Sequence, residues 1–489
     1  MKQLYLTLLL VMAGLLAGVQ TAKAQRVVLH MKGGKTFECS LSQLDSITFM
    51  EDMEDVELCT QMGSDAECSL FYEAMCATGL CELLPQSHKD ESWDYRRYLS
   101  CEKEYSLPSS SLYCHIPRTR ETGVTVFACT NDALSSRYGI HNLQELRNYA
   151  LSVYGGSADE AIRKLLSYCI IDRKSTLERL TTPCSIDTLL SVPTEWYSTL
   201  LPHSLLKVSR NMGQTFLNLS DNKQGICISE PQCNNICGNG SYFLTDGLPL
   251  YDEVCKQAFA SERMRMDFYT LIPELENVMV RSSASYCIPH DYLHCLSASA
   301  DTYIIYEGMH EISPFYEGDC LWLSGRYDVT FTLPAVPKQG TYEVRVGYTA
   351  MPNSGIAQLY FGSETQNMPP IGIPISFNRD AKANGLPWIP LSDADEEEEL
   401  NSRRAIRNHG FMHGPASVCY TSEPNTSKRF CNDSRTLRAI ILRQALEEDT
   451  PYYLRFKSVV EGDRPICLDY IELVHKDVYD NAETPEDIY

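Results

Sequence analysis

The chain has 489 residues and a formal net charge of −22, and past its N-terminus no stretch is long and uncharged enough to span a bilayer, which takes about 20 residues. So acidic a chain repels phosphate backbones and anionic lipid surfaces, which excludes nucleic acid as a partner class. Its length allows two or three domains.

The first segment reads MKQLYLTLLLVMAGLLAGVQTAKAQ. Lys2 supplies a positive start, Leu4 to Val19 an apolar stretch, and Ala22-Lys23-Ala24 a small-x-small cleavage site. This predicts a signal peptide over 1–24 and export to the periplasm, the cell surface or the extracellular space. The first cysteine is Cys39, so no thiol stands at the cleavage site to carry a lipid. Residues 25–52 contain two extended runs around Lys32-Gly33-Gly34-Lys35, the pattern of a short β-hairpin. With its Asp45-Ser46-Ile47-Thr48-Phe49 ending, this stretch resembles a segment found after the signal peptide in exported Bacteroidetes proteins. The resemblance implies a source phylum and no function.

All 20 cysteines fall in the mature part, and an exported compartment lets them pair, so several disulfides are expected. Cys227, Cys233 and Cys237 are spaced by six and four, a poor zinc pattern. Buried thiols that act as small hydrophobes are the other reading.

From Cys68 the spacing turns helical, with Leu70, Phe71, Met75, Leu80, Leu83 and Leu84 on one apolar face. A strand-like run, 125–128, then leads into Thr130-Asn131-Asp132, where Thr130 or Asn131 can cap a helix. TVFACTNDAL at 125–134, LLSYCII at 165–171, TLLPHSLLKV at 199–208 and GNGSYFLTDGLPL at 238–250 together resemble a fasciclin-like domain, here spanning 55–251. Cys129 stands where that family has proline, and Cys169 where it has the histidine of a Tyr-His pair associated with adhesion in animal members. The resemblance therefore implies the fold more than an adhesive role, and Tyr168 and Cys169 are expected to be packing residues.

Residues 252–268 suggest an amphipathic helix, and Pro273 breaks the pattern, so 252–285 is expected to be a helical linker. Period-two alternation follows. Tyr327, Val329, Phe331 and Leu333 share one face, and Tyr342, Val344, Val346 and Tyr348 share another, opposite Glu343 and Arg345. Further strands are expected at 356–362, 437–442, 452–459 and 466–474, with a loop-rich insertion at 363–436. Through the runs at 332–350, 355–362 and 469–474, the block 286–476 resembles a galactose-binding-like jelly roll, the fold of many carbohydrate-binding modules. The fold class expected is multidomain α+β: a fasciclin-like α/β domain followed by an all-β jelly-roll sandwich. The tail 477–489, acidic and broken by proline, is expected to be disordered.

No G-x-S-x-G elbow, P-loop or H-E-x-x-H occurs, and no catalytic, cofactor-binding or metal site is assigned. His290/His294 and His409/His413 have ligand spacing only on a helix, and the prolines and glycines around both pairs argue against one. The acidic run from Asp393 to Glu399 reads as a solvated loop, since calcium loops space their ligands and include a turn residue. Sugar sites use aromatic faces with polar groups for the hydroxyls. Of Trp322, Tyr348, Tyr360 and Trp388, three are taken as candidate ligand-binding residues: Trp388, Tyr348 and Tyr360.

The two resemblances imply a non-catalytic, exported adhesion or glycan-binding protein of the bacterial cell envelope, needing no cofactor, whose partner is a glycan or an envelope protein. The alternative is a structural or assembly component of the cell surface that binds protein partners. A third and weaker reading is a carbohydrate-active hydrolase.

Overall fold

The computed structural model describes residues 26–30, 36–40, 56–84, 89–108, 110–181, 194–220, 225–229, 235–278, 284–308, 315–389, 396–415, 419–423, 426–429 and 433–481. The expected signal peptide lies outside them. The chain divides into two compact units, Met1–Asp52 and Met53–Tyr489. In the first, the strand Arg26–His30 pairs antiparallel with Thr36–Ser40.

The larger unit opens with a mixed α/β half. Its centre is a four-stranded sheet in which Val124–Cys129 runs parallel to Gly240–Thr245, flanked by Asn235–Cys237 and Ile170–Ile171. Every residue of the two central strands is buried, as a parallel pair covered on both faces requires. Helices pack around it, each started by its own sequence. The Thr130 side chain accepts from the Ala133 amide, Asn142 accepts from Glu145, and Ser157 and Glu160 form a reciprocal capping box. Gly139 closes the first of these helices at φ 66°, which costs a glycine little. A second sheet, of Thr194–Ser198, Leu205–Asn211, Gln214–Leu217 and Ile226–Cys227, is antiparallel throughout.

The remainder is β-rich. One five-stranded sheet runs in the order 263–267, 470–475, 340–349, 436–446, 411–413, and another in the order 297–298, 328–333, 452–458, 356–362, 370–376. Between them Phe268, Phe331 and Phe456 pack edge to face at 5.1–6.0 Å. A six-stranded sheet joins 285–289, 302–307, 320–325 and 466–468 to two early strands, Lys103–Ser106 and Ser111–His115. The fold class is thus mixed α and β with several sheets.

The chain does not respect the linear division expected from its sequence. The early strand Ser111–His115 lies parallel to Ser285–Pro289, in a sheet of the β-rich part. Among its described residues the expected helical linker holds two helices, Glu253–Ala260 and Pro273–Asn277, and between them a strand, Arg263–Asp267, that pairs with Tyr470–His475. A single apolar core runs through both halves, from Phe127, Tyr168 and Trp196 to Phe268, Phe331 and Phe456. Polar contacts reinforce the seam: the Arg173 guanidinium donates to the Thr270 carbonyl at 2.6 Å, the Lys174 amide donates to Asn277 at 2.7 Å, and Lys207 pairs with Glu262.

Three further expectations change. The acidic run Glu396–Glu399 starts a helix, Glu396–Asn408, where carboxylates at the N-terminus and Arg403, Arg404 and Arg407 toward the C-terminus suit the macrodipole. The tail begins with a helical turn, Lys476–Tyr479, capped by the His475 side chain. Cysteines expected to pair are free thiols where their side chains are described. Cys114, Cys287, Cys320 and Cys467 show why: they fill a core with Ile116, Ile305, Phe315 and Trp322, where burial pushes the Cys114 and Cys287 thiols up to about 12.

Candidate functional site

Where the two halves meet, a cleft of about 350 Å³ opens between Tyr154, Lys164, Leu201, His203 and Tyr251 on one side and Lys256, Pro337, Glu448 and Asp449 on the other. Its α/β wall is built by helix ends. The helix Leu143–Tyr154 delivers Tyr154, whose hydroxyl accepts from the Tyr251 amide at 3.1 Å. The capped helix Ala158–Tyr168 leaves Lys164 exposed and turns Tyr168 inward, where its hydroxyl donates to the Leu205 carbonyl at 2.8 Å. Asn218, at φ 52°, donates to that same hydroxyl at 2.9 Å. Asn tolerates this left-handed backbone because its short polar side chain bonds locally.

Tyr251 is the centre of the site. Its ring stacks on Tyr168 with centroids 5.3 Å apart, and the Lys256 ammonium lies 5.6 Å above its centroid. The residue is 7% exposed and its hydroxyl has no hydrogen-bond partner among the described residues. Burial, followed by the charges of Cys255 and Glu448, pushes this phenol far above its ordinary value, so it stays protonated and remains a donor. Lys256 sits on the helix Glu253–Ala260, capped by Asp252, with its ammonium 3.5 Å from Glu253 and 3.6 Å from Glu448. His203 occupies the turn before the strand Leu205–Asn211 at φ 58°. Glu448 and Asp449 come from the turn between Thr436–Leu446 and Tyr452–Ser458.

Two lysines face two carboxylates, so the lining is close to charge-balanced and offers both donors and acceptors. Such a surface suits a neutral ligand rich in hydroxyl groups, each of which needs a partner once desolvated. None of the residues singled out by sequence lines this cleft. Tyr348 is 1% exposed and packs edge-on to Phe377, so it presents no face to a ligand. Trp388 is 8% exposed, stacked on His413 at 3.8 Å. Tyr360 is half-buried on the strand Ile356–Gly362, with the Arg455 guanidinium 5.1 Å over its ring. Trp322 is fully buried and donates to Glu307 at 2.7 Å. Tyr168 and Cys169 are both fully buried, so they pack, and Tyr168 reaches the cleft only through the ring of Tyr251.

Neither histidine pair shares a helix face. His290 and His294 lie on a turn, and His409 follows the end of a helix while His413 belongs to a strand. Among the described residues no three His, Cys, Asp or Glu side chains converge to hold a metal, and no helix is long and apolar enough to cross a membrane.

Fold and cleft define a mixed α/β and β-sheet protein with a polar, charge-balanced groove between its halves. No protein-family model matches the chain, and no curated protein matches it. Among solved structures it is similar to the K1 cleaved adhesin domain of Lys-gingipain from Porphyromonas gingivalis W83, at 12% identity and a TM-score of 0.20, over 44% of this chain and 98% of that one.

Proposed function

We propose that the protein is a non-catalytic, exported binding protein of the bacterial cell envelope that holds a neutral saccharide in the junction cleft. The observation that carries this reading is Tyr251: a protonated hydroxyl without a partner, in a residue 7% exposed, set between lysine donors and carboxylate acceptors. In this reading the α/β half is a fasciclin-like domain. It is supported by the strand Val124–Cys129, the Thr130 cap and the parallel strand Gly240–Thr245, which fall in two of the four family-like segments. The β-rich half is a galactose-binding-like sandwich, supported by the facing five-stranded sheets. The cleft needs both halves, which gives their fusion through one core a purpose.

The test is a glycan array followed by calorimetric titration of each hit on the intact chain. Uncharged saccharides should bind, and Tyr251→Phe should weaken them about tenfold, the equivalent of one hydrogen bond of roughly 1–1.5 kcal/mol. No binding to any neutral saccharide, or binding indifferent to Tyr251→Phe, sinks the reading. Release of reducing sugar from mixed polysaccharides would replace it with a hydrolase.

A further inference from the structure

The five-stranded sheet that includes Gly340–Thr349 has an apolar inner face and an ionic outer one. On the outer face two fully buried carboxylates each receive three guanidiniums. Glu343 accepts from Arg345 Nε at 2.8 Å, from Arg407 Nη2 at 2.8 and 3.0 Å, and from Arg443 Nε at 2.6 Å. Glu472 accepts from Arg265 at 2.8 Å, Arg345 at 3.2 Å and Arg438 at 3.3 Å. Burial pushes the Glu472 carboxyl up, yet Arg438, Arg265, Arg263 and Arg345 together hold it well below the usual carboxylate range. Counting Asp267, which lies on the same face of its strand as Arg265, six arginines face three carboxylates. That excess of positive charge stands in a chain whose net charge is −22.

Part of this excess lies at the surface. A hollow of about 270 Å³ is lined by Arg407, Asn408, Gly410, Ile440, Ile441, Leu442 and Arg443. The side chains of Arg407 and Arg443 are 25% and 52% exposed there. Arg443 commits only its Nε–H to Glu343, so both terminal amino groups keep donors to offer. Tyr479, on the helical turn Lys476–Tyr479, lies 5.9 Å from the Arg407 guanidinium and 5.7 Å from that of Arg443, holding the pair side by side. Asp477 and Asp480 flank that turn, and Arg403 and Arg404 lie on the helix that supplies Arg407.

We propose that this hollow is an oxyanion-binding site, in which Arg407 and Arg443 grip a sulfate, phosphate or carboxylate group, free or borne on a glycan. Paired guanidiniums match such groups in shape as well as charge, and Glu343 preorganises them by fixing one edge of each. The site is independent of the neutral-saccharide cleft and stands if that reading fails.

The experiment titrates the intact chain with sodium sulfate, sodium phosphate and a sulfated disaccharide, against sodium chloride at matched ionic strength so that simple screening is subtracted. One equivalent should bind and raise the melting temperature. Arg443→Glu should lower affinity at least tenfold, while Arg404→Glu, an exposed change of equal charge on the helix that supplies Arg407, should leave it within twofold. Circular dichroism confirms that both variants fold; should Arg443→Glu fail to, Arg443→Gln replaces it with a loss of at least threefold. Equal affinity for sulfate and the disaccharide assigns the site to the free ion, and at least tenfold tighter disaccharide binding assigns it to a glycan-borne group. Absence of binding by all three probes, or equal loss in Arg443→Glu and Arg404→Glu, overturns the proposal.

Discussion

The central sheet of the α/β half, built on one parallel pair, and the ionic sheet of the β-rich half bury both their faces by opposite means. Around Val124–Cys129 and Gly240–Thr245 the covering is mostly apolar: Leu58, Phe71, Leu134, Leu165 and Leu166 close over the strands. Around Gly340–Thr349 one face is apolar, with Tyr342, Val344, Val346 and Tyr348, and the other is salt-bridged, with Glu343 and Arg345 both fully buried. An apolar face tolerates any cover of the right shape. An ionic face tolerates only partners that satisfy each charge, so it dictates which elements lie on it, here Arg265 and Arg438 from neighbouring strands and Arg407 from the helix Glu396–Asn408.

Removing a buried charge should therefore cost more than trimming a buried methyl group. Arg345→Met is expected to lose about 3–5 kcal/mol, because both Glu343 and Glu472 lose a donor while fully buried. Ile170→Val in the central sheet of the α/β half is expected to cost only about 0.5–1.5 kcal/mol. Urea unfolding of both variants compares them directly. If Arg345→Met costs no more than Ile170→Val, the ionic face contributes nothing that an apolar one would not.

The contrast also separates what the sequence makes legible from what it hides. The run from Thr125 to Leu134 announces its strand, its Thr130 cap and its helix, because all three depend on residues within a few positions of one another. Likewise the alternation of Tyr342, Val344, Val346 and Tyr348 against Glu343 and Arg345 is real, and the two sets point to opposite faces. The burial of the second face is hidden. It rests on Arg265, Arg407, Arg438 and Glu472, which are distant in sequence, and the insertion expected to be loop-rich supplies the helix that covers them. The cleft is hidden for the same reason: its walls come from several separated segments, and the runs that hold His203 and Lys256 stood out in the sequence for a family resemblance and a helical period, not as parts of one site. Aromatic type alone does not tell core from platform: the rings of Tyr348 and Trp388 are both buried, at 1% and 8% exposure.

Acid should strip the ionic sheet before the apolar one. Glu472 is held below its unfolded value, so its contribution is fully present above the unfolded carboxylate range of about 4.3 and is lost as pH falls through the depressed folded value. The expected loss is seen by hydrogen exchange as faster opening of 340–349 than of 124–129 as pH falls below the unfolded carboxylate range. Equal acceleration in both strands would show that acid acts on the shared core and not on the ionic face.

Smaller still is the effect of the helix caps, which belong to the α/β half. Ser157→Ala removes one side of a surface capping box and should cost about 1 kcal/mol. The loss should appear in thermal melts at neutral pH and persist unchanged in acid down to the point where Glu160 takes up its proton, because the Ser157 hydrogen bonds hold that carboxyl below its usual range. A cap effect as large as that of Arg345→Met would mean that the helix Ala158–Tyr168, and not the ionic sheet, limits stability.

The smallest stability change expected is at Tyr251, and it separates packing from binding. Its ring is held by Tyr168 and Lys256, whereas its hydroxyl is buried without a partner, so the hydroxyl's desolvation is a cost that nothing in the unliganded chain offsets. Tyr251→Phe keeps the ring and removes that cost, and should leave stability unchanged within about 0.5 kcal/mol or raise it slightly. A residue whose polar atom serves the fold behaves otherwise: Tyr168→Phe strips the hydrogen bonds to Leu205 and Asn218 and should cost about 1–2 kcal/mol. Neighbouring tyrosines in one stack should thus respond oppositely, measured in the same denaturation series. If both lose stability alike, the Tyr251 hydroxyl is part of the fold and is not held in reserve for a ligand.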